Sequence, residues 1–558
     1  MQHSGMDHDG MMAIEKLINS AKPTHTAIKS GAWSDPSTWQ GGKVPTNGAT
    51  VLINKGTNVV YDQVSEAEIK TIAIRGNLRF ATGKDTQLKV ETIINAPEGR
   101  IDIGSAQQGV QADKRARIIF TSDRAVNTGW DPEQLTKGLL SHGVVNIYGA
   151  DKQDHVRLAK NDSAGDSILT FKEDLSGWRV GDEIVLAGTG YKYKGDDTTN
   201  SRTQDEVLTI TEINGRQVKF INNDIAGEGN NVLRFDHKKH SNLDPNKIDL
   251  YAANLSRNIS FETENGKNVP TSHRAHVMLM HNPNVNVFNA GFYDLGRSDK
   301  TKIVDDIGKN VDGSNGNGTN IRGRYSLHLH KTGLDPKEAA ILKGNVVSGS
   351  PGWGFVQHGS RAGLENNTSF DVVGAGFAAE DGNETGWWTN NMAIKSTGIR
   401  CDIASAQMKY REKKFDFGFE GDGFWIQGAA QIANRGNKAI SSNHTGMSLF
   451  SGSLETRDFR PVKTIAVNTL PPEIQKLFAN GQTDVDIRHV PMADVTGFEG
   501  YNNIKGLDVW GHKTNFDGHT AFSGDATMDE EYDTAHLGRS LVKDSKLWGN
   551  RWDGLTVH

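Results

Sequence analysis

One cysteine, Cys401, stands in 558 residues, so an intrachain disulfide is excluded and the fold must rest on burial. Long apolar runs are absent as well: no stretch of 18 or more residues could form a membrane-spanning helix, and the first 30 residues lack the apolar segment of a secretory signal. An excess of basic charge is also missing. With 62 basic and 68 acidic residues the net charge is −6, which excludes the broad positive field that holds nucleic acid by its phosphates. A local Lys/Arg groove for an acidic polysaccharide remains compatible with that balance. Proline is scarce, at 14, whereas glycine reaches 62. Gly, Asn, Asp, Ser and Thr recur every few positions, the pattern of an all-β chain with many tight turns.

The chain divides by pattern. Residues 1–25 read as a tail with one short helix around Met12–Ala21. Its start reads as a mature secreted N-terminus behind an initiator methionine. It carries His3 and His8 among several methionines, and an amine followed by a histidine at the third position can chelate Cu(II), although a disordered tail is the favoured reading. Residues 26–150 hold short apolar or alternating runs such as Thr50–Ile53, Val59–Tyr61 and Arg117–Phe120, each bounded by turn residues, and are expected to form a glycine-rich β-domain. Residues 151–240, with runs at 168–171, 177–186, 207–213 and 217–221, resemble a small antiparallel β-subdomain.

Residues 241–558 repeat. Gly354-Phe355 returns 22 residues later as Gly376-Phe377, Asn345 returns as Asn367 at the same interval, and Asn391 follows after 24. Gly423-Phe424 and Gly554-Leu555 reopen the same motif. A period of 22 to 24 with a Gly-apolar strand and an Asn-bearing turn is the mark of a parallel β-solenoid, whose coils bury their inner faces only by stacking. The last copy of the motif sits at the end of the sequence, which predicts a chain cut before its cap.

Stacked coils turn sequence periods into spatial columns. Residues one coil apart lie about 4.8 Å from each other, so His358 is expected beside Glu380. His328 and His330 share one face of their strand, and a 30-residue step would align His328 with His358. His276, before an apolar strand, is a further imidazole within one or two coils. His273 and His281 are read as turn residues. Imidazoles gathered on one face suit a divalent cation, so His276, His328 and His330 are the expected metal ligands; zinc or another transition metal fits them best, with calcium the alternative. His358, Glu380 and Asp381 are the expected catalytic groups, the last two pairing only if the chain turns at Gly382. A carboxylate beside His358 would raise its pKa. Arg274 and Arg324 are expected to hold substrate carboxylates, and Trp353 and Trp387 to stack on sugar rings; Trp387 and Trp388 cannot both point inward.

Several segments together resemble a known family. Gly31-Ala32-Trp33-Ser34 through Trp39, then Gly41-Gly42-Lys43-Val44-Pro45, look like the opening of a G-eight domain. Trp178 with Gly181-Asp182-Glu183-Ile184, Leu255–Ile259, His276-Val277-Met278, Arg324-Tyr325 with His328-Leu329-His330, Val356-Gln357-His358-Gly359 and Glu380-Asp381-Gly382 resemble the animal cell-surface hyaluronidases of the transmembrane protein 2 and cell-migration-inducing hyaluronan-binding protein family. The resemblance implies a G-eight domain before a right-handed parallel β-helix, and an enzyme that cuts hyaluronan-like chains with the aid of a divalent cation. The sequence departs from the family at Arg274-Ala275, where Gly-Gly is usual, at Ser326, where proline is usual, and in lacking the animal proteins' anchor and cysteines.

Three functions follow as expectations. The leading one is a secreted or cell-surface hydrolase of an extracellular polysaccharide such as a glycosaminoglycan. A polysaccharide lyase on the same scaffold is the second. A non-catalytic carbohydrate-binding or adhesion protein is the third, since a fold alone does not fix a function.

Overall fold

The computed structural model describes residues 4–190, 203–227, 229–399, 401–450, 464–478, 481, 483–510, 515–516, 519–520 and 540–557. Among the described residues thirty-three strands join in parallel ladders, the parallel β-helix expected from the repeat. Three ladders form its faces. One carries Thr50–Ile53, Val64–Ile74, Thr86–Asn95, Gly138–Ser141, His276–Met280, Leu327–Gly333, Phe355–Glu365, Phe377–Ala379, Phe424–Gln427, Thr445–Phe450, Lys505–Trp510 and Asp553–Val557 in order. The strands of residues 26–150 are therefore the first coils of the same solenoid: Ala116–Phe120, Gly138–Ser141 and Val144–Tyr148 pair in parallel with Ile259–Thr263, His276–Met280 and Val285–Phe288. The expected boundary between a separate β-domain and the helix does not exist as a structural break, because a solenoid edge buries its core only under the next coil.

The inner faces stack like with like. Phe355, Phe377 and Phe424 lie in one column with ring centroids 4.8 Å apart at each step and planes within 9° of parallel. Full burial of each such ring contributes about 2–3 kcal/mol. Beside them runs a buried amide ladder. Asn345 Nδ2 donates to Asn367 Oδ1, Asn367 to Asn391 and Asn391 to Asn437, at 3.0–3.1 Å. The residue before each ladder Asn turns the chain in the left-handed region, as at Asn366 and Asn390, both with φ 54°. The recurring glycine before the strand is required by the next coil. A Cβ on Gly354 would stand 2.5 Å from the carbonyl oxygen of Gly376, and one on Gly376 2.8 Å from that of Gly423.

Two additions cover the outer faces. A six-stranded sheet between His155 and Asn254 is inserted between coils. It extends past the expected end at 240, since Tyr251–Asn254 pairs antiparallel with His155–Arg157 and Glu183–Leu186. Its apolar side packs with Val346, Phe370, Ile394 and Tyr501 of the solenoid. The N-terminal helix, Ser4–Ser20, is longer than expected and is no loose tail. Ile14, Leu17 and Ile18 bury against Ile94, Leu140, Met278 and Met280. His3 lies outside the described residues, as does the side chain of His8, and the Cu(II) expectation with them.

Candidate functional site

The site lies on the outer face of the first ladder, where the helix cover ends. Along this face the register sets Met280 beside His330, and His330 beside His358. The coil step between those two histidines is thus 28 residues, so His330 rather than His328 shares the column of His358; His328 pairs with Val356. Glu380 follows Ala379, the partner of Gln357, and its backbone N–H donates to Gln357 O. The expected neighbour relation of His358 and Glu380 is met: Nδ1 and Oε2 lie 3.1 Å apart. His328 Nε2 is 3.6 Å from the same oxygen.

The three imidazoles form one group. His328, His330 and His358 each offer a nitrogen within 4.8 Å of the others. His328 Nδ1 faces Gly323 O at 3.0 Å, which fixes the proton there and leaves Nε2 as a lone pair toward the pocket. His328 Nε2 and His330 Nδ1 are buried without a hydrogen-bond partner, and His358 Nδ1 and Glu380 Oε2, equally buried, have only each other. Leaving the two ring nitrogens of His328 and His330 without partners is costly, at about 1–3 kcal/mol each. A cation held by the three imidazoles would satisfy their nitrogens and leave the Glu380 carboxylate beside it, and three imidazoles are a donor set of a transition-metal site. The residues therefore fit such an ion.

Charge is distributed unevenly across the group. Burial works to raise the Glu380 carboxyl, but His358, His328 and Arg322 outweigh it and hold its pKa down at about 2. Burial likewise works to lower His358, and the Glu380 carboxylate carries it above the usual histidine value. Burial brings His328 down to about 4 and holds His330 well below the usual value. The ion-free site thus favours the charged pair of His358 and Glu380 beside two imidazoles that burial holds toward the neutral form.

Supporting groups fix the turn that carries Glu380. Gly382 adopts φ 93°. The buried Glu384 accepts the backbone N–H groups of Gly359, Asp381 and Gly382 at 2.7–3.0 Å. The chain does turn after Glu380, as pairing with Asp381 required, although the partner that organises the turn is Glu384, which the sequence did not single out. Tyr325, stacked on Trp353 with centroids 4.6 Å apart, brings its hydroxyl to 3.5 Å from Glu380 Oε1. The imidazole column also continues backward. His281 lies 5.8 Å from His330 by ring centroid, and its Nδ1 is 3.2 Å from His142 Nδ1.

Other expected site residues are placed elsewhere. His276 is fully buried and its Nε2 is paired with Leu135 O at 2.8 Å, outside the three-imidazole group. Arg324 is no free anion holder, because all three of its guanidinium nitrogens donate to main-chain oxygens of Glu133, Gln134 and Arg322. Arg274 is buried and donates to Gly349 O. Trp353 is buried with Nε1 bonded to Gly418 O and Lys300 over its ring, so it offers no face to a sugar. Trp387 stands outward on the second ladder, tied to Glu365, while Trp388 points into the core.

Two family models match the sequence, the G8 domain over residues 38–159 and the CEMIP beta-helix over residues 314–478. The chain carries a G8 domain and a CEMIP β-helix. The second match contains His328, His330, His358 and Glu380, and the first contains His142. Human fibrocystin-L is 28% identical over 184 residues, covering 33% of this chain and 4% of its own length. A G8 domain-containing protein of Dictyostelium discoideum is 23% identical over 364 residues, or 63% of this chain and 22% of its own length. The chain thus spans only a small part of these relatives. Among solved structures, the Gp54 tailspike of Acinetobacter baumannii bacteriophage AP22, in complex with capsular saccharide, aligns over 79% of this chain and 66% of its own. That alignment has 10% identity and a TM-score of 0.15, too low to carry residues from one to the other.

Proposed function

We propose that this chain is a secreted or cell-surface polysaccharide hydrolase of the hyaluronidase type, with its chemistry at His328, His330, His358 and Glu380. The observation that carries the reading is the convergence of three buried imidazole nitrogens and a carboxylate oxygen, of which His328 Nε2 and His330 Nδ1 have no hydrogen-bond partner and the other two have only each other. Such groups are costly to bury unless a ligand uses them. The CEMIP β-helix match over the same residues supports a carbohydrate role. No helix among the described residues is long and apolar enough to cross a membrane.

His328, His330 and His358 would hold the divalent cation; bound there, it would supply Lewis-acid polarisation of a substrate oxygen. Glu380, ionised at neutral pH, is the base. Its Oε2 takes the proton of the attacking water as hydroxide adds to the anomeric carbon. It returns that proton to the oxygen that leaves with the electron pair of the broken C–O bond. Tyr325 and Glu384 position Glu380 by holding its other oxygen and its turn.

The test is incubation with hyaluronan, chondroitin, pectate and alginate, with and without chelator, following chain length and ultraviolet absorbance. The reading expects shortened chains without new absorbance, lost with chelator and lost in Glu380→Gln by at least about a hundredfold, the scale of a general base. Growth of absorbance would mean elimination and replace the hydrolase with a lyase. No cleavage by metal-loaded protein would overturn enzyme activity on these polymers.

A further inference from the structure

One cleft of the protein shares no residue with the histidine group. Its volume is about 860 Å³, and it lies where the inserted six-stranded sheet meets the turns of the solenoid. Pockets of a few hundred to a thousand Å³ at the junction of two folded units are where ligands of oligosaccharide size bind. The solenoid side of the cleft is a column of turn residues. Asn366 and Asn390, one coil apart, present their amides outward while the residue after each points inward to the buried ladder. Asn390 Nδ2 donates to Asn366 Oδ1 at 2.8 Å, and the Asn366 NH₂ has no acceptor among the described residues.

Charged groups line the cleft, and most are already neutralised. Arg157 is paired with Glu173 at 2.6 Å, Lys152 with Asp182 at 2.7 Å and Lys343 with Glu365 at 3.3 Å. Lys438 is the exception among the cations, and Asp151, which accepts from Asn289 Nδ2 at 3.1 Å, is the lining carboxylate with no ion pair among the described residues. Lys438 Nζ donates to Asn390 Oδ1 at 2.6 Å and Gly436 O at 2.9 Å, lies 5.5 Å from the Tyr251 ring centre, and has no ion pair among the described residues. A polyanion would find too few free cations here. A ligand with one carboxylate and many neutral hydrogen-bonding groups fits better, because a single unpaired ammonium stands beside repeating amides at coil spacing.

We propose that this cleft is a second carbohydrate site, binding a short stretch of acidic oligosaccharide with a ring carboxylate at Lys438 and hydroxyl or acetamido groups on Asn366 and Asn390. The site does not depend on catalysis at the histidines. It would anchor a chain at a point removed from the reacting atoms.

Calorimetric titration with hyaluronan hexasaccharide, and with chitohexaose as a carboxylate-free comparison, tests it. The full chain binds the acidic hexamer more tightly than chitohexaose. Lys438→Met weakens that binding by at least about tenfold, the loss of one charge-assisted hydrogen bond. Asn366→Gly, which keeps the left-handed turn, weakens it as well. Equal affinity for the two hexamers, no effect of Lys438→Met and Asn366→Gly in proteins with native near-ultraviolet dichroism, or no binding at all would each overturn the proposal. Binding with these sensitivities but no cleavage of any polymer would sink the hydrolase reading and leave the cleft standing.

Discussion

Glu380 and His358 set each other's charge. Across 3.1 Å the carboxylate raises the imidazole against burial, and the imidazole lowers the carboxyl to about 2. Remove the carboxylate, and burial is opposed only by the weaker pull of Asp381 and Glu384. Glu380→Gln is therefore expected to move His358 of the metal-free protein from above the usual pKa of about 6.5 to below it. The imidazole resonances followed against pH by NMR report this directly, and an unmoved His358 would show that the pair does not form. The sign also fixes a stability dependence. Because the folded His358 pKa is raised, the pair's contribution through this group is full below about 6.5 and fades as pH rises through the folded value. At this scale the sequence showed the partners His358 and Glu380, since a coil period places them side by side. It did not show that Arg274 and Arg324 are spent on main-chain carbonyls, because a backbone acceptor leaves no signature in residue identity.

At the scale of the element, the Asn ladder couples each coil to the next. Asn367 alone donates to Leu342 O and Asn391 Oδ1, and accepts from the Asn345 backbone and side chain, all at 2.9–3.0 Å. Asn367→Ala strips these from a fully buried site and leaves donors and acceptors without partners. A loss of about 3 kcal/mol is expected, below the sum of the single deletions because the coils can relax. Thermal unfolding of the variant against the parent measures it; an unchanged midpoint would mean that the ladder is held by strand pairing alone. The ladder was legible because Asn345, Asn367 and Asn391 recur at coil spacing. The step from His330 to His358 was less so. The loop after Gly333 lengthens that coil, and a loop adds residues without changing the stacking of the strands on either side.

For the whole molecule, the G8 region and the later coils are one solenoid. Strands Ala116–Phe120, Gly138–Ser141 and Val144–Tyr148 each have a neighbour from beyond residue 258. Residues 4–150 expressed alone would expose those three strand edges and the helix-binding Met278 and Met280 would be missing. The fragment is expected to associate, or to lose fixed side-chain packing, because open parallel edges template pairing with other chains. A monomeric fragment with cooperative unfolding and native-like near-ultraviolet dichroism would contradict this.

The sequence by itself determined the repeat, the all-β class and the neighbourhood of His328, His330, His358 and Glu380, because a solenoid maps a fixed residue interval onto a fixed spatial column. Only the tertiary structure decided which imidazoles converge, that His276 is tied to Leu135 while His142 and His281 extend the column, and that a cleft opens beside Lys438. Those outcomes depend on insertions. A six-stranded sheet separates Val144–Tyr148 from the coil that stacks on it, and an insertion of that size erases the sequence interval while leaving the column in space intact.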